Sequence, residues 1–268
     1  MEPTPAEVAA AVAVRHRELE ELIDDLDESD LRAPSSLPGW SRLTILCHLR
    51  YGAEATLAIT EGARRGERVA FYPDGRADQR PWTLEPRPGE APFDVVREAR
   101  RAANRLDETW AAFGPTDWDV VAVEPDDNPD LGPISLGALA LLRLTEVEVH
   151  GTDLAVGATD WSPAFVAAVL PMRIRWLPAR RSNHRALADD VRGAWGFRPD
   201  EGASYVVRLD DAGVTVAHGD ADADVDVEFG GPPATLLGFL LGRVPLTALR
   251  VDGDTGSAES FARAFPPP

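Results

Sequence analysis

The chain has 268 residues, 44% of them hydrophobic, and a formal net charge of −18. It is long enough for one large core or two modest ones, and that much negative charge sets it against nucleic acid phosphates and anionic membrane surfaces as partners. The sequence contains no lysine, so all 27 basic residues are arginines, which excludes Schiff-base catalysis by a side-chain amine and a phosphate-binding P-loop; the single cysteine, Cys47, excludes an intramolecular disulfide and a zinc ribbon.

In chain order, residues 4–26 place Val8, Val12, Leu19, Leu22, Ile23 and Leu26 at helical spacing. The acidic second residue and the lack of a basic segment before this stretch predict a helix and not a signal peptide. Leu37-Pro38-Gly39-Trp40-Ser41 reads as a turn that delivers Ser41 as the N-cap of a second helix over 42–63. Residues 66–90, rich in Pro, Gly and Arg, predict a loop, and 93–113 a third helix. A connection follows over 114–134, with a short strand at 120–123, and a fourth helix spans 135–156. Four long helices with connections between them predict a helical bundle.

Beyond a linker at 157–162 the pattern changes. A helix is expected over 162–181, then strands at 203–209, 213–217 and 223–229. The last two alternate polar and apolar residues as half-buried antiparallel strands do, and 210–213 supplies a hairpin turn. A helix at 232–241, a strand at 248–252 and a terminal helix at 256–264 complete the chain. The expected fold class is therefore α + (α+β): a helical bundle over 1–157 and a small α+β domain over 158–268. The longest apolar runs fall short of a membrane span, so the expectation is a soluble cytoplasmic protein.

Chemistry concentrates in the fourth helix. Glu146 and His150 are four residues apart and share one face, with Leu139, Leu142 and Val149 beside that stripe. A carboxylate turned inward is costly without a partner; a divalent metal would offset that cost and recruit His150 as a second ligand. The alternative is a surface Glu–His pair. In the second helix His48 lies among Ile45, Leu49 and Gly52, as a hydrogen-bonded core residue or as a ligand. Successive helical residues point about 100° apart, so Cys47 and His48 cannot both face one site, and Cys47 reads as a packed, inert thiol.

The stretch LPGWSRLTILCHL at 37–49, followed by RLTEVEVHGTDL at 143–154, resembles the mycothiol-dependent maleylpyruvate isomerase family, part of the DinB-like bundle superfamily. The stretch GGPPATLLGFLLGRVPLTALRVDGD at 230–254 is similar to that family's second domain. The resemblance covers most of the chain. It implies a DinB-like metal-binding four-helix bundle and a C-terminal domain of the maleylpyruvate isomerase type. It also implies a divalent metal, commonly zinc, held by His48, Glu146 and His150, with Asp153 as support for a ligating histidine. Arg243 matches by context an arginine that handles substrate. Arg76 and Arg80, in the segment after the second helix, are candidates for binding a carboxylate or sugar of the cosubstrate.

Three ligands leave a tetrahedral metal one open position, the pattern of catalytic sites. The implied activity is that of a mycothiol-using enzyme, a thiol S-transferase or an isomerase acting on a small electrophilic metabolite, as a monomer or homodimer. Two alternatives stay open: a hydrolase using metal-bound water, and a non-catalytic metal or ligand binder. The stretch 71–82 follows the family's loop only loosely, which leaves the substrate open.

Overall fold

The structure, a computed structural model, describes residues 3–157, 160–183, 190–219 and 224–267. Contacts divide the chain into two units, Met1–Phe165 and Val166–Pro268.

The first unit is helical: α1 (Pro5–Asp24), α2 (Glu28–Arg32), α3 (Arg42–Arg64), α4 (Arg76–Thr83), α5 (Pro92–Ala111) and α6 (Leu136–Asp153). Caps define the starts. Thr4 and Glu7 form a capping box ahead of α1, while Ser41 and Ser135 accept from the amides of Thr44 and Ala138 to open α3 and α6. Both α1 and α3 pack against α5 and α6, and Val12, Ile45, Val95, Leu106, Leu136 and Val147 are fully buried between them.

Two short helices depart from the sequence reading. Asp27 caps α2, which the apolar pattern hides because only Leu31 is buried there. Residues 66–90 are not all loop, since α4 occupies Arg76–Thr83. Gly75 turns the chain into α4 at φ +85°, and Pro81 sits late in the helix, so neither residue announces a helix. Side chains seat it instead: Gln79 Nε2 donates to Tyr51 Oη at 3.0 Å, and Tyr51 Oη donates to the Phe71 carbonyl at 2.6 Å. The short strand expected near 120–123 is β1 (Val121–Ala122), paired antiparallel with β2 (Ile134–Ser135).

The connection between β1 and β2 is fastened by one carboxylate. Glu124, 5% exposed, accepts from the backbone amides of Phe71, Asp130, Leu131 and Gly132 at 2.6–3.1 Å. Burial alone would raise its pKa, but these four hydrogen bonds outweigh burial and hold it below the ordinary glutamate value.

The second part of the chain carries α7 (Pro163–Arg175), which begins just before the division, α8 (Leu177–Asn183), and strands β3 (Gly193–Pro199), β4 (Tyr205–Asp210), β5 (Gly213–His218) and β6 (Val227–Gly231). Then come α9 (Pro233–Leu240), β7 (Arg250–Gly253) and α10 (Thr255–Ala264). The sheet runs β5-β4-β3-β6-β7. Trp195, Phe197, Phe229 and Phe261 form its buried aromatic centre, and Trp195 Nε1 donates to the Ser257 carbonyl at 2.8 Å.

The central strand β3 was not expected from the sequence. It is Gly-rich and buried over most of its length, so it lacks the alternation that marks a half-exposed strand. The helix expected over 162–181 is broken between Arg175 and Leu177, with prolines at 171 and 178. The strand expected at 223–229 begins later, as β6. Asp226 is taken up by β3 instead, its carboxylate accepting from the Ala194 amide at 2.7 Å, and β6 runs parallel to β3. Ala223, the first residue of that expected strand, and residues 158–159 of the expected linker lie outside the described residues.

Replacing Glu124 by Ala leaves several buried amides without an acceptor and is expected to cost about 3 kcal/mol at neutral pH in denaturant unfolding. Because the folded pKa is depressed, the contribution is present above the ordinary glutamate value of 4.5 and is lost as the pH falls below it. The gap between wild type and Glu124→Ala should therefore narrow in acid. A gap under about 1 kcal/mol at pH 7 would contradict this account.

Candidate metal centre

The loop before α3 sets the floor of the site. The Ser35 amide donates to the Trp40 carbonyl at 2.9 Å, and the Ser36 amide donates to the Asp153 carbonyl, also at 2.9 Å. Arg42 Nε reaches the Leu154 carbonyl at 3.0 Å. The start of α3 is thereby tied to the end of α6, and Trp40 is laid against the histidines of both helices. Its ring lies parallel to that of His150 with centroids 6.0 Å apart, and edge-on to His48 at 5.6 Å.

Above this floor three side chains converge. His48 Nε2 lies 2.7 Å from Glu146 Oε2, and His150 Nε2 lies 3.6 Å from the same oxygen. One ligand atom from each of His48, Glu146 and His150 falls within 4.8 Å of the others, and all three residues are half-buried. The imidazoles cross at 87°, so their edges meet at the carboxylate without stacking. His150 Nδ1 is 2.9 Å from Asp153 Oδ2, and Asp153 is 3% exposed. With Nδ1–H held by that carboxylate, His150 presents the Nε2 lone pair to the cluster. His48 Nδ1 is buried with no hydrogen-bond partner among the described residues.

Burial, followed by the neighbouring His150 and Arg80 charges, holds the His48 pKa below its ordinary value against the pull of Glu146. Burial alone would raise the Glu146 carboxyl; the His48 hydrogen bond and the His48, His150 and Arg143 charges outweigh it and hold it down at about 2. The Glu146 side chain is nonetheless 44% exposed, so it is not turned fully inward, and the cluster opens to solvent on its side. Two imidazoles and one carboxylate are a ligand set for zinc and related divalent ions, and their convergence fits such an ion.

The arginines have different surroundings. The Arg80 guanidinium lies 6.0 Å from the Trp40 ring, and its Nη1 is buried without a hydrogen-bond partner among the described residues. Arg76 is paired with Asp130 at 3.0 Å and lies over the Tyr72 ring. Arg243 belongs to the second unit, where its Nη1 donates to the Leu241 carbonyl at 2.9 Å. Cys47 is fully buried, and burial pushes its thiol up to about 11. Sequence reasoning took Trp40 only as part of a turn and passed over Arg143. Trp40 reaches His150, and Arg143 reaches Leu49 and His16, each roughly a hundred positions away in the chain, and no local pattern displays such contacts.

A helical unit that gathers two imidazoles and a carboxylate from two helices defines a candidate metal-binding helical protein. Residues 12–155 match the family described as the mycothiol maleylpyruvate isomerase N-terminal domain, and the chain belongs to that family. The fold resembles the crystal structure of the mycothiol-dependent maleylpyruvate isomerase, with a TM-score of 0.69 at 16% identity over 94% of this chain and 95% of that one. A histidine-to-alanine mutant of that isomerase matches with a TM-score of 0.67 at 15% identity and the same coverage. Those relatives are enzymes by their descriptions; at such identity the likeness to them is one of fold. A search of curated proteins finds no match.

The purified protein is expected to carry about one divalent ion per chain, and His48→Ala or His150→Ala to lose most of it, as read by elemental analysis. Full occupancy in both variants would remove the assignment. Cys47→Ala is expected to leave metal content unchanged and to cost on the order of 1 kcal/mol through a small cavity; loss of the metal would place the thiol in the site after all.

Proposed function

We propose that the chain is a metal-dependent enzyme that uses mycothiol, acting as a thiol S-transferase or as an isomerase on a small electrophilic metabolite. The observation that carries the reading is the convergence of His48, Glu146 and His150 within 4.8 Å in a chain of this family. In this reading α1, α3, α5 and α6 form a DinB-like four-helix bundle, and His48, Glu146 and His150 hold the ion, with zinc the first expectation. When bound, a divalent ion there supplies positive charge that favours the thiolate of a thiol at neutral pH.

The chain's own groups bind and orient. Asp153 fixes the tautomer of His150, and Trp40 buttresses both imidazoles and keeps water from that side. Arg80, with an unsatisfied N–H beside the cluster, receives an anionic or carbonyl oxygen of the cosubstrate or the electrophile. Arg76, already neutralised by Asp130, takes a lesser part in cosubstrate binding, and Arg243 of the second unit is assigned to an anionic substrate. In transfer, the thiol sulfur forms a bond to an electrophilic carbon and the thiol proton ends on the adduct or on the leaving group. In isomerisation the same C–S bond forms and then breaks, returning the thiol. Cys47 is too well buried to be that thiol. Among the described residues no helix is long and apolar enough to cross a membrane.

Maleylpyruvate, named for the structural relatives, is the first electrophile to assay, with and without mycothiol. Turnover is expected to require both thiol and metal. Arg80→Ala is expected to raise KM about tenfold or more while the metal stays bound, as loss of one charge-assisted hydrogen bond implies. Arg243→Ala should weaken the handling of an anionic substrate in the same way. Equal rates without mycothiol would replace this reading by a hydrolase using metal-activated water.

A further inference from the structure

Arg143 lies one turn before Glu146 on α6, and its side chain is only 4% exposed. Among the described residues no carboxylate pairs with it. Its Nη1 donates to the Leu49 carbonyl at 3.0 Å, the backbone group next to His48 on α3. Its Nη2 lies 3.0 Å from His16 Nε2. Since an arginine can only donate, His16 accepts at Nε2 and carries its proton on Nδ1, which lies 2.9 Å from both Asp107 oxygens. A single hydrogen-bonded chain thus runs from Asp107 on α5 through His16 on α1 and Arg143 on α6 to Leu49 on α3.

The sequence leaves room for this arrangement at one position. A Cβ on Gly52 would stand 3.0 Å from Arg143 Nη1, so the glycine clears the path of the guanidinium to the α3 backbone. Among the described residues Arg143 Nε has no hydrogen-bond partner, and the residue lines a cavity of about 40 Å³ with His16, Glu20 and Arg100, space enough for an ordered water. Burial lowers the Arg143 pKa to about 10, which leaves it charged at neutral pH. As a stabilising device this is poor, because an apolar side chain would fill the same space without the cost of desolvating a cation. What the arginine supplies is two directed donors with a fixed angle between them.

We propose that Arg143 is a positioning residue of the metal centre: it fixes the offset of α3 against α6 between the Leu49 carbonyl and the turn that bears Glu146, and the His16–Asp107 pair holds its guanidinium in that place. The inference rests on the metal-binding reading above. It says that the ligand triangle is set by a buried strut as well as by the groups touching the ligands.

The test measures zinc affinity of the full chain by chelator competition, the absorption spectrum of the cobalt(II) form, and thermal stability of the metal-free form. Arg143→Met is expected to fold with metal-free stability equal to or above wild type, yet to bind zinc about tenfold or more weakly and to show an altered cobalt spectrum, the scale seen when groups supporting metal ligands are removed. His16→Gln, which can still accept from Arg143 and donate to Asp107, is expected to keep affinity near wild type, whereas His16→Leu should lose it. That pair decides the matter if Arg143→Met does not fold. Wild-type affinity in Arg143→Met, or equal affinity in His16→Leu and His16→Gln, overturns the positioning role alone. Failure of the wild-type chain to bind zinc or cobalt at all overturns the metal reading, and this inference with it.

Discussion

His48 and Glu146 are 98 positions apart in the chain, and the site depends on holding α3 and α6 at one offset. Apolar packing brings the helices together but is non-directional, so it tolerates small slides that would spread the three side chains. Directed polar contacts remove that freedom. At one end the Ser36 amide and hydroxyl both engage the Asp153 carbonyl, and Arg42 engages the carbonyls of Leu154 and Ala155. Nearer the middle, Arg143 engages the Leu49 carbonyl. Each contact uses a backbone carbonyl as its anchor, so each fixes a helix and not merely a side chain. The carbonyls that end α6 lack intrahelical donors and are available for this.

The charge composition gives these contacts their form. With 45 acids against 27 arginines, most arginines find a carboxylate, and many of those pairs are exposed and contribute little to stability. Arg32 with Glu28 and Arg65 with Glu67 are of this kind. Arg50 with Glu90 is different: the atoms are 2.6 Å apart and both side chains are largely buried, so the pair ties α3 to the segment before α5. A buried pair of this sort is weak evidence for stability and better evidence for register, since breaking it strands a charge. Arg143 extends the same logic with neutral acceptors in place of a carboxylate.

Much of this was legible in the sequence. The long helices of the first unit follow apolar spacing and cap residues; Ser41 sits where a cap was expected, and Ser135, expected as the first residue of the fourth helix, caps it. Glu146 and His150 declared themselves by their spacing, whereas His48 became a candidate ligand chiefly through family resemblance. What stayed hidden was structure without periodicity. The strand β3 is buried with two glycines in seven residues, and α4 is a short helix with a glycine before it and a proline inside it. Trp40 and Arg143 carry no spacing signal either, because their partners lie on other helices. Pattern reports how one element meets its surroundings; it does not report which distant backbone group a side chain will find.

The two arginines of α4 show how such distant contacts divide similar residues. Arg76 and Arg80 are four apart and share one helical face, and the sequence offers no reason to prefer either. The Glu124 carboxylate gathers the amides of 130–132 and so brings Asp130 to a fixed place, where it neutralises Arg76. Among the described residues no such partner reaches Arg80, which lies by Trp40 with an unsatisfied N–H. The desolvation of a partly buried arginine N–H is offset when an anion or a carbonyl oxygen arrives. The latch at Glu124 therefore does more than close a loop. By consuming one arginine of α4 and leaving the other, it sets where beside the His48, Glu146 and His150 cluster an anionic group would find a partner.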